Sequence, residues 1–374
     1  MMHHTPERRR FLFGSLAAAG ALAAQRPPQE IRVGMIGVGN RGSYLLANVL
    51  EQPGVTVTAL CDTKPDRLDT AATKAAASRP FTTSDYTKLL ARDDVDAVYI
   101  ATPCDLHVEM ALAAVKANKH IYCEKPLGIT AKSVAELAAA VRKSAKVFQV
   151  GQQMRSYARL RETVRKIHEG VVGKVVMIKA QRHSPRDIPH DGSSSDWLFF
   201  KERSGEMLVE QSVHNLDVCN WIAGEYPVRA AGFGGTKVYV NQPPGRNTMD
   251  GYSLSYEYPS GLTLSYTQVF FHPRDMPGGG APWFVLGTKG GVDVNNSMFY
   301  PLNPTPDNGP RELVPAIEDD RQAHIKAFFA AIRGEGKPAA TIEDGLTGAL
   351  TAILGRDAIH GKKVMEISDY GLNL

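Results

Sequence analysis

Ile31-Arg32-Val33-Gly34-Met35-Ile36-Gly37-Val38-Gly39-Asn40-Arg41-Gly42-Ser43-Tyr44-Leu45-Leu46 decides the fold of this 374-residue chain. A short β-rich apolar run leads into GxGxxG, and a helical pattern starts at the third glycine, which is the strand-turn-helix context that a dinucleotide-binding turn needs. Gly37 permits the tight turn, Gly39 lets the backbone approach a pyrophosphate, and Gly42 lets the helix pack on the strand. Asn40 and Arg41 then stand at the first helical N–H groups, where phosphates are received. A second β-rich run ends at Asp62, at the distance expected for a carboxylate that accepts adenosine ribose hydroxyls. Such a carboxylate repels a 2′-phosphate, so NAD is expected rather than NADP, although Lys64 lies close enough to argue mildly the other way.

Outward from this turn, β-rich runs at 31–36, 55–61, 97–101, 120–123 and 147–150 alternate with helical ones at 43–51, 66–77, 106–117 and 132–144. That alternation predicts a doubly wound parallel sheet, a Rossmann domain over 31–150. After Gly151 a helix over 157–169 leads into longer alternating runs at 175–180, 228–240, 252–256, 262–271 and 283–286. These predict a C-terminal α/β domain over 151–374 with an open, mostly antiparallel sheet. Helices at 321–332 and 342–359 are expected to pack back on the first domain. The loops at 184–195, 241–247 and 303–310 are rich in Gly, Pro, Ser and Asn.

The chain is 43% hydrophobic and 8% aromatic with a formal net charge of +4, part of it in Arg8, Arg9 and Arg10. That balance gives no reason to expect nucleic acid or anionic lipid as a partner. Residues 1–24 read as a twin-arginine signal peptide: Arg8-Arg9-Arg10-Phe11-Leu12 precedes an Ala-rich stretch ending in small residues. The stretch is shorter than the roughly 20 residues of a membrane span. A periplasmic or otherwise exported protein is the expectation, folded before transport and holding its cofactor, since little free NAD is expected outside the inner membrane. Cys61, Cys104, Cys123 and Cys219 show neither CxxC nor zinc-ligand spacing and are given no chemistry.

Two strand ends carry chemistry. The third strand of the first domain runs into Thr102-Pro103-Cys104-Asp105-Leu106-His107 and the fourth into Cys123-Glu124-Lys125-Pro126, both at the carboxyl edge where such sheets place ligands. With GxGxxG, these motifs resemble those of the Gfo/Idh/MocA family of glucose-fructose oxidoreductase and inositol dehydrogenase. The likeness continues through Gln149-Val150-Gly151-Gln152-Gln153-Met154-Arg155 and through Gly205-Glu206-Met207-Leu208-Val209-Glu210-Gln211-Ser212-Val213-His214-Asn215-Leu216-Asp217. It implies a catalytic Lys125, a second catalytic side chain in His214, and a cofactor-binding set of Thr102, Pro103, His107, Glu124 and Lys125 beside the glycine loop. It implies Asp four residues before the histidine, where this chain has Glu210, and a homodimer or homotetramer formed through the open sheet.

The chemistry of the residues supports the same assignment. Oxidation of a secondary alcohol needs a group to take the hydroxyl proton as hydride leaves carbon, and a lysine beside a cationic nicotinamide is disfavoured in its ammonium form. On a helix Glu210, His214 and Asp217 share one face, so Glu210 is expected to orient an imidazole acting as base. Arg155, Tyr157, His183, Trp197 and Asp217 are candidate substrate contacts, while Asp217 read plainly is a partner for a neighbouring base. A metal held by Glu210 and His214 would need a third ligand from His183, His190 or Asp191, which nothing fixes, so no metal is expected. The function expected is an NAD(P)-dependent oxidoreductase acting on CH–OH groups of a sugar, cyclitol or glycoside. The alternatives are a redox-neutral NAD-dependent glycosidase and a non-catalytic sugar- or nucleotide-binding regulator.

Overall fold

The computed structural model describes residues 30–185 and 196–372, so the leader at 1–24, His190, Asp191 and most of the 184–195 loop lie outside the described residues. The first part of the chain runs β1 (Ile31–Ile36), α1 (Asn40–Leu50), β2 (Val55–Cys61), α2 (Pro65–Lys74), β3 (Phe81–Thr83), α3 (Tyr86–Leu90), β4 (Ala97–Ile100), α4 (His107–Lys116), β5 (His120–Cys123), α5 (Ala131–Val141) and β6 (Phe148–Val150). The six strands pair in parallel in the order β3-β2-β1-β4-β5-β6. The order reverses between β1 and β4, so the loops leaving these two strands border one crevice at the carboxyl edge. Thr130 caps α5 by accepting from the Ser133 N–H, and Val134, Leu137, Ala138 and Val141 are its buried stripe. β3 and α3 were not expected from the sequence, being three and five residues long and too short to show a period.

The second part runs α6 (Ala158–His168), β7 (Val175–His183), α7 (Lys201–Ser204), α8 (Met207–Ala223), β8 (Arg229–Gly235), β9 (Gly251–Glu257), β10 (Thr263–Val269), β11 (Trp283–Gly287), β12 (Gly290–Asp293), β13 (Met298–Pro301), β14 (Arg311–Glu312), α9 (Ala323–Ile332), α10 (Ile342–Gly361) and β15 (Met365–Glu366). Its nine strands form one sheet in the order β14-β13-β12-β11-β7-β10-β9-β8-β15. All neighbours are antiparallel except β7 and β10. The strand expected over 228–240 stops at Gly235, because the buried Asp250 carboxylate accepts the N–H groups of Lys237, Val238 and Tyr239 and curls the chain away.

One face of this sheet is covered. Leu254, Tyr256, Leu264 and Tyr266 point into a core shared with α8 and α10, and α8 is buried nearly all round, from Met207 to Asn220. Of the C-terminal helices, α9 packs on the first sheet. Ile325, Phe328 and Phe329 of α9 enter the core that holds Met35, Tyr99 and Tyr122, with Phe328 edge-on to both tyrosine rings. Each such side chain contributes about 1.5–3 kcal/mol by leaving water, enough to hold α9 on a domain far from it in sequence.

Candidate active site

The glycine loop has the conformation that its sequence requires. Gly37 adopts φ +85°, and a Cβ there would stand 2.7 Å from the Ala101 carbonyl oxygen. A Cβ on Gly42 would stand 2.0 Å from the Gly37 carbonyl oxygen, so only glycine lets α1 begin so close to the turn. Gly39 caps α1 without a side-chain hydrogen bond, and the helix start, with Gly39, Asn40 and Arg41, lines the crevice. The loop therefore forms a cradle for a pyrophosphate, and the residues present fit a dinucleotide.

Asp62, 8% exposed, stands at the end of β2. Its Oδ2 accepts from the Val38 N–H at 2.9 Å and its Oδ1 from the Lys64 N–H at 2.9 Å, so the carboxylate braces the glycine loop while lining the cleft. Arg41 donates from Nε to Glu124 Oε1 at 2.7 Å, while the Lys125 N–H reaches Glu124 Oε2 at 3.1 Å. The carboxylate fits only because residue 151 is glycine: a Cβ there would lie 2.7 Å from it. His107, 1% exposed, meets the Pro126 carbonyl at 2.7 Å and the Thr102 carbonyl at 2.9 Å. It thus ties the Thr102-Pro103 turn to the Glu-Lys-Pro loop.

Between the two sheets these loops and the start of α8 enclose a cleft of about 1200 Å³. Gly37, Gly39, Asn40, Arg41, Asp62, Thr102, Pro103, His107, Glu124, Lys125, Glu210 and His214 line it together. Lys125 Nζ donates to Glu210 Oε1 at 2.6 Å and to the Glu210 carbonyl at 2.8 Å, and Glu210 Oε2 accepts from Gln211. An ammonium has three N–H donors, so one remains for a ligand oxygen. His214 Nδ1 is 3.0 Å from Gln152 Oε1. Burial, then the cations Lys125, Arg182 and Arg41, push the imidazole pKa well below its ordinary value, and the ring is neutral.

Here the structure corrects the expected pairing: Glu210 serves Lys125, and it is Gln152 that meets His214. Of the five expected substrate contacts, only Trp197 lines the cleft. Arg155 holds Asp217 with two bonds of 2.9 and 2.8 Å and Asp344 at 2.9 Å, so both Arg155 and Asp217 are committed to joining α8 and α10. Tyr157 caps α6. His183 bonds Thr267 Oγ1 at 2.9 Å. The two-residue period of β7 turns it to the face opposite α8 and sends Arg182, its neighbour, inward to Gln211 Oε1 at 2.7 Å. Among the described residues no three His, Cys, Asp or Glu side chains are grouped to hold a metal ion. Gly151, Gln152, Arg182 and Arg67, which lines the cleft beside Gly39, were missed by sequence reasoning; the run Gln149-Val150-Gly151-Gln152 was the available signal for the first two.

Residues 31–152 match the family model described as "Oxidoreductase family, NAD-binding Rossmann fold", and residues 158–293 match the GFO/IDH/MocA C-terminal domain. The chain is 26% identical to 1,5-anhydro-D-fructose reductase of Ensifer adhaerens over 330 residues, covering 86% of this chain and 94% of that protein. It is 22% identical to myo-inositol 2-dehydrogenase of Thermotoga maritima over 350 residues, covering 91% and 99%. Its fold superposes on a levoglucosan dehydrogenase solved with NADH and levoglucosan at a TM-score of 0.76 with 21% identity, covering 91% of this chain and all of that one. Two domain matches, and a glycine-loop cradle beside the strand-end lysine, lead to one conclusion: the chain belongs to the Gfo/Idh/MocA family of oxidoreductases and binds NAD through its Rossmann domain.

Proposed function

We propose that this protein transfers hydride between a secondary carbinol carbon of a sugar, cyclitol or glycoside and a tightly held NAD, and that it works as an exported enzyme. The observation that carries the proposal is the convergence of Lys125, with a spare N–H donor, and neutral His214 on the cleft that the glycine loop borders. NAD supplies the hydride acceptor. Lys125 holds the substrate oxygen, Glu210 keeps the ammonium in place, and His214 takes the hydroxyl proton. The relatives named for anhydrofructose, inositol and levoglucosan support a polyhydroxylated ring as the substrate class. Arg8-Arg9-Arg10 and the Ala-rich stretch after it support export by the twin-arginine route, which suits an enzyme that carries its cofactor with it.

The protein matured in the cell envelope is purified, dialysed exhaustively and denatured, and the supernatant is assayed for nucleotide. Near-stoichiometric NAD or NADH is expected; an empty protein would overturn the held cofactor. The loaded protein is then given pairs of sugars and a panel of glycosides. Interconversion of alcohol and carbonyl is expected, whereas release of an aglycone without net redox change would reassign the chemistry to transient oxidation and elimination.

A further inference from the structure

We infer that Gln152 is the positioning residue for His214, a neutral amide in the place expected of a carboxylate, and that it leaves the proton-accepting lone pair on Nε2; this rests on the proposed role of His214 as proton acceptor. Gln152 follows β6 at the junction of the two sheets and is 1% exposed. Its Oε1, 3.0 Å from Nδ1, makes the only protein hydrogen bond of the ring among the described residues. Glu210, one turn before His214 on α8, is turned away to Lys125 and Gln211.

In the structure the oxygen end of the amide faces Nδ1, while the nitrogen end, buried without a hydrogen-bond partner among the described residues, lies against Gly348 of α10, where a Cβ would stand 3.3 Å from it. An amide oxygen only accepts, so the proton sits on Nδ1 and the lone pair on Nε2. As hydride leaves the carbinol carbon for NAD, the hydroxyl proton passes to Nε2. The products are the carbonyl, NADH and an imidazolium that gives its proton up afterwards.

The charges facing the ring explain what an amide does here that a carboxylate would not. Lys125 faces it from the loop after β5, Arg41 from α1 and Arg182 from β7, all disfavouring imidazolium, while Glu210 and Asp217 on its own helix are neutralised by Lys125 and Arg155. A carboxylate at 152 would offset these cations and trap the proton. The amide sets the tautomer and leaves the ring neutral.

The test reads the ring directly, in holoenzyme labelled with ¹⁵N-histidine and assigned by loss of a signal in His214→Ala. The Nδ1–H tautomer is expected in the unsubstituted protein, with no titration near neutral pH. Gln152→Glu is expected to raise the midpoint of His214 by about one to three pH units, and Gln152→Leu to give mixed tautomers. An Nε2–H tautomer in the unsubstituted protein, or an unmoved midpoint in a folded Gln152→Glu variant that still binds NAD, would overturn the inference. The functional reading fails separately, if His214→Ala turns over a polyol as fast as the unsubstituted protein does.

Discussion

Lys125 is held on one side by Glu210 and faces the cleft on the other, so replacing it separates its two contributions. Lys125→Met is expected to cut turnover by about 10²–10³-fold, the usual worth of one hydrogen-bond donor aimed at the reacting oxygen, with NAD still bound in a fluorescence titration. It also leaves the Glu210 carboxylate, 7% exposed, without its cation, so a lower melting temperature accompanies the loss. Undiminished turnover would remove Lys125 from the chemistry. Residues such as Gly37, Gly42, Asp62 and Lys125 were legible because their task is set by neighbours along the chain: a turn, a strand end, a helix start. Gln152 was not, because its task exists only once β6 and α8 have been brought together. His183 and Arg182 show the same limit, since choosing which of two adjacent polar residues faces the cleft requires the register of β7.

Among the elements, α9 is one whose docking responds to acid. His324 is buried against Tyr122, and burial first, then Arg41, pulls its pKa down to about 4, with Glu124 opposing. In the unfolded chain the same imidazole titrates near 6.5. The unfolded state therefore binds the extra proton between these values. The stabilisation is complete above pH 6.5 and is lost as pH falls through 6.5 toward about 4. Melting temperatures measured from pH 7.5 to 4.5 are expected to fall, and His324→Leu to fall less steeply. His120, half-buried and also pulled down to about 4 by burial and Lys146, acts with the same sign, as do His107 and His214, both lowered by burial first, so the slope is reduced rather than abolished. An identical slope in the variant would dissociate α9 from acid lability. Most long elements were legible from their periods, whereas α8, buried nearly all round, shows little amphipathic pattern and entered the sequence reading only as the helix on which Glu210, His214 and Asp217 would share a face.

For the whole molecule, the informative surface is the bare face of the nine-stranded sheet. Phe284, Leu286 and Tyr300 lie together on it across β11 and β13, with Phe233, 85% exposed, on β8 four strands from β11, and the first three form an apolar patch that supports association through this face. Light scattering on the purified protein is expected to give the mass of a dimer or tetramer. Phe284→Lys combined with Leu286→Lys is expected to give a monomer with unchanged circular dichroism, and a monomeric unsubstituted protein would refute the proposal. The fold class was legible at this scale because alternation of short strands and helices leaves few arrangements. The placement of the C-terminal strands was not, since β12 to β15 are short and pair by position rather than by composition. β7 at the middle of that sheet carries a consequence for biosynthesis. Its two partners arrive late: Met177 pairs with Thr263 and Ala180 with Trp283. While the chain is being made, β7 has two unsatisfied edges and α8 has no floor, so the half of the cleft that carries His214 takes shape only as the last third of the chain emerges. The glycine loop and the six strands around it are complete by Val150, with only α9 still to come onto their core, and NAD bound there would be the template against which the substrate half closes.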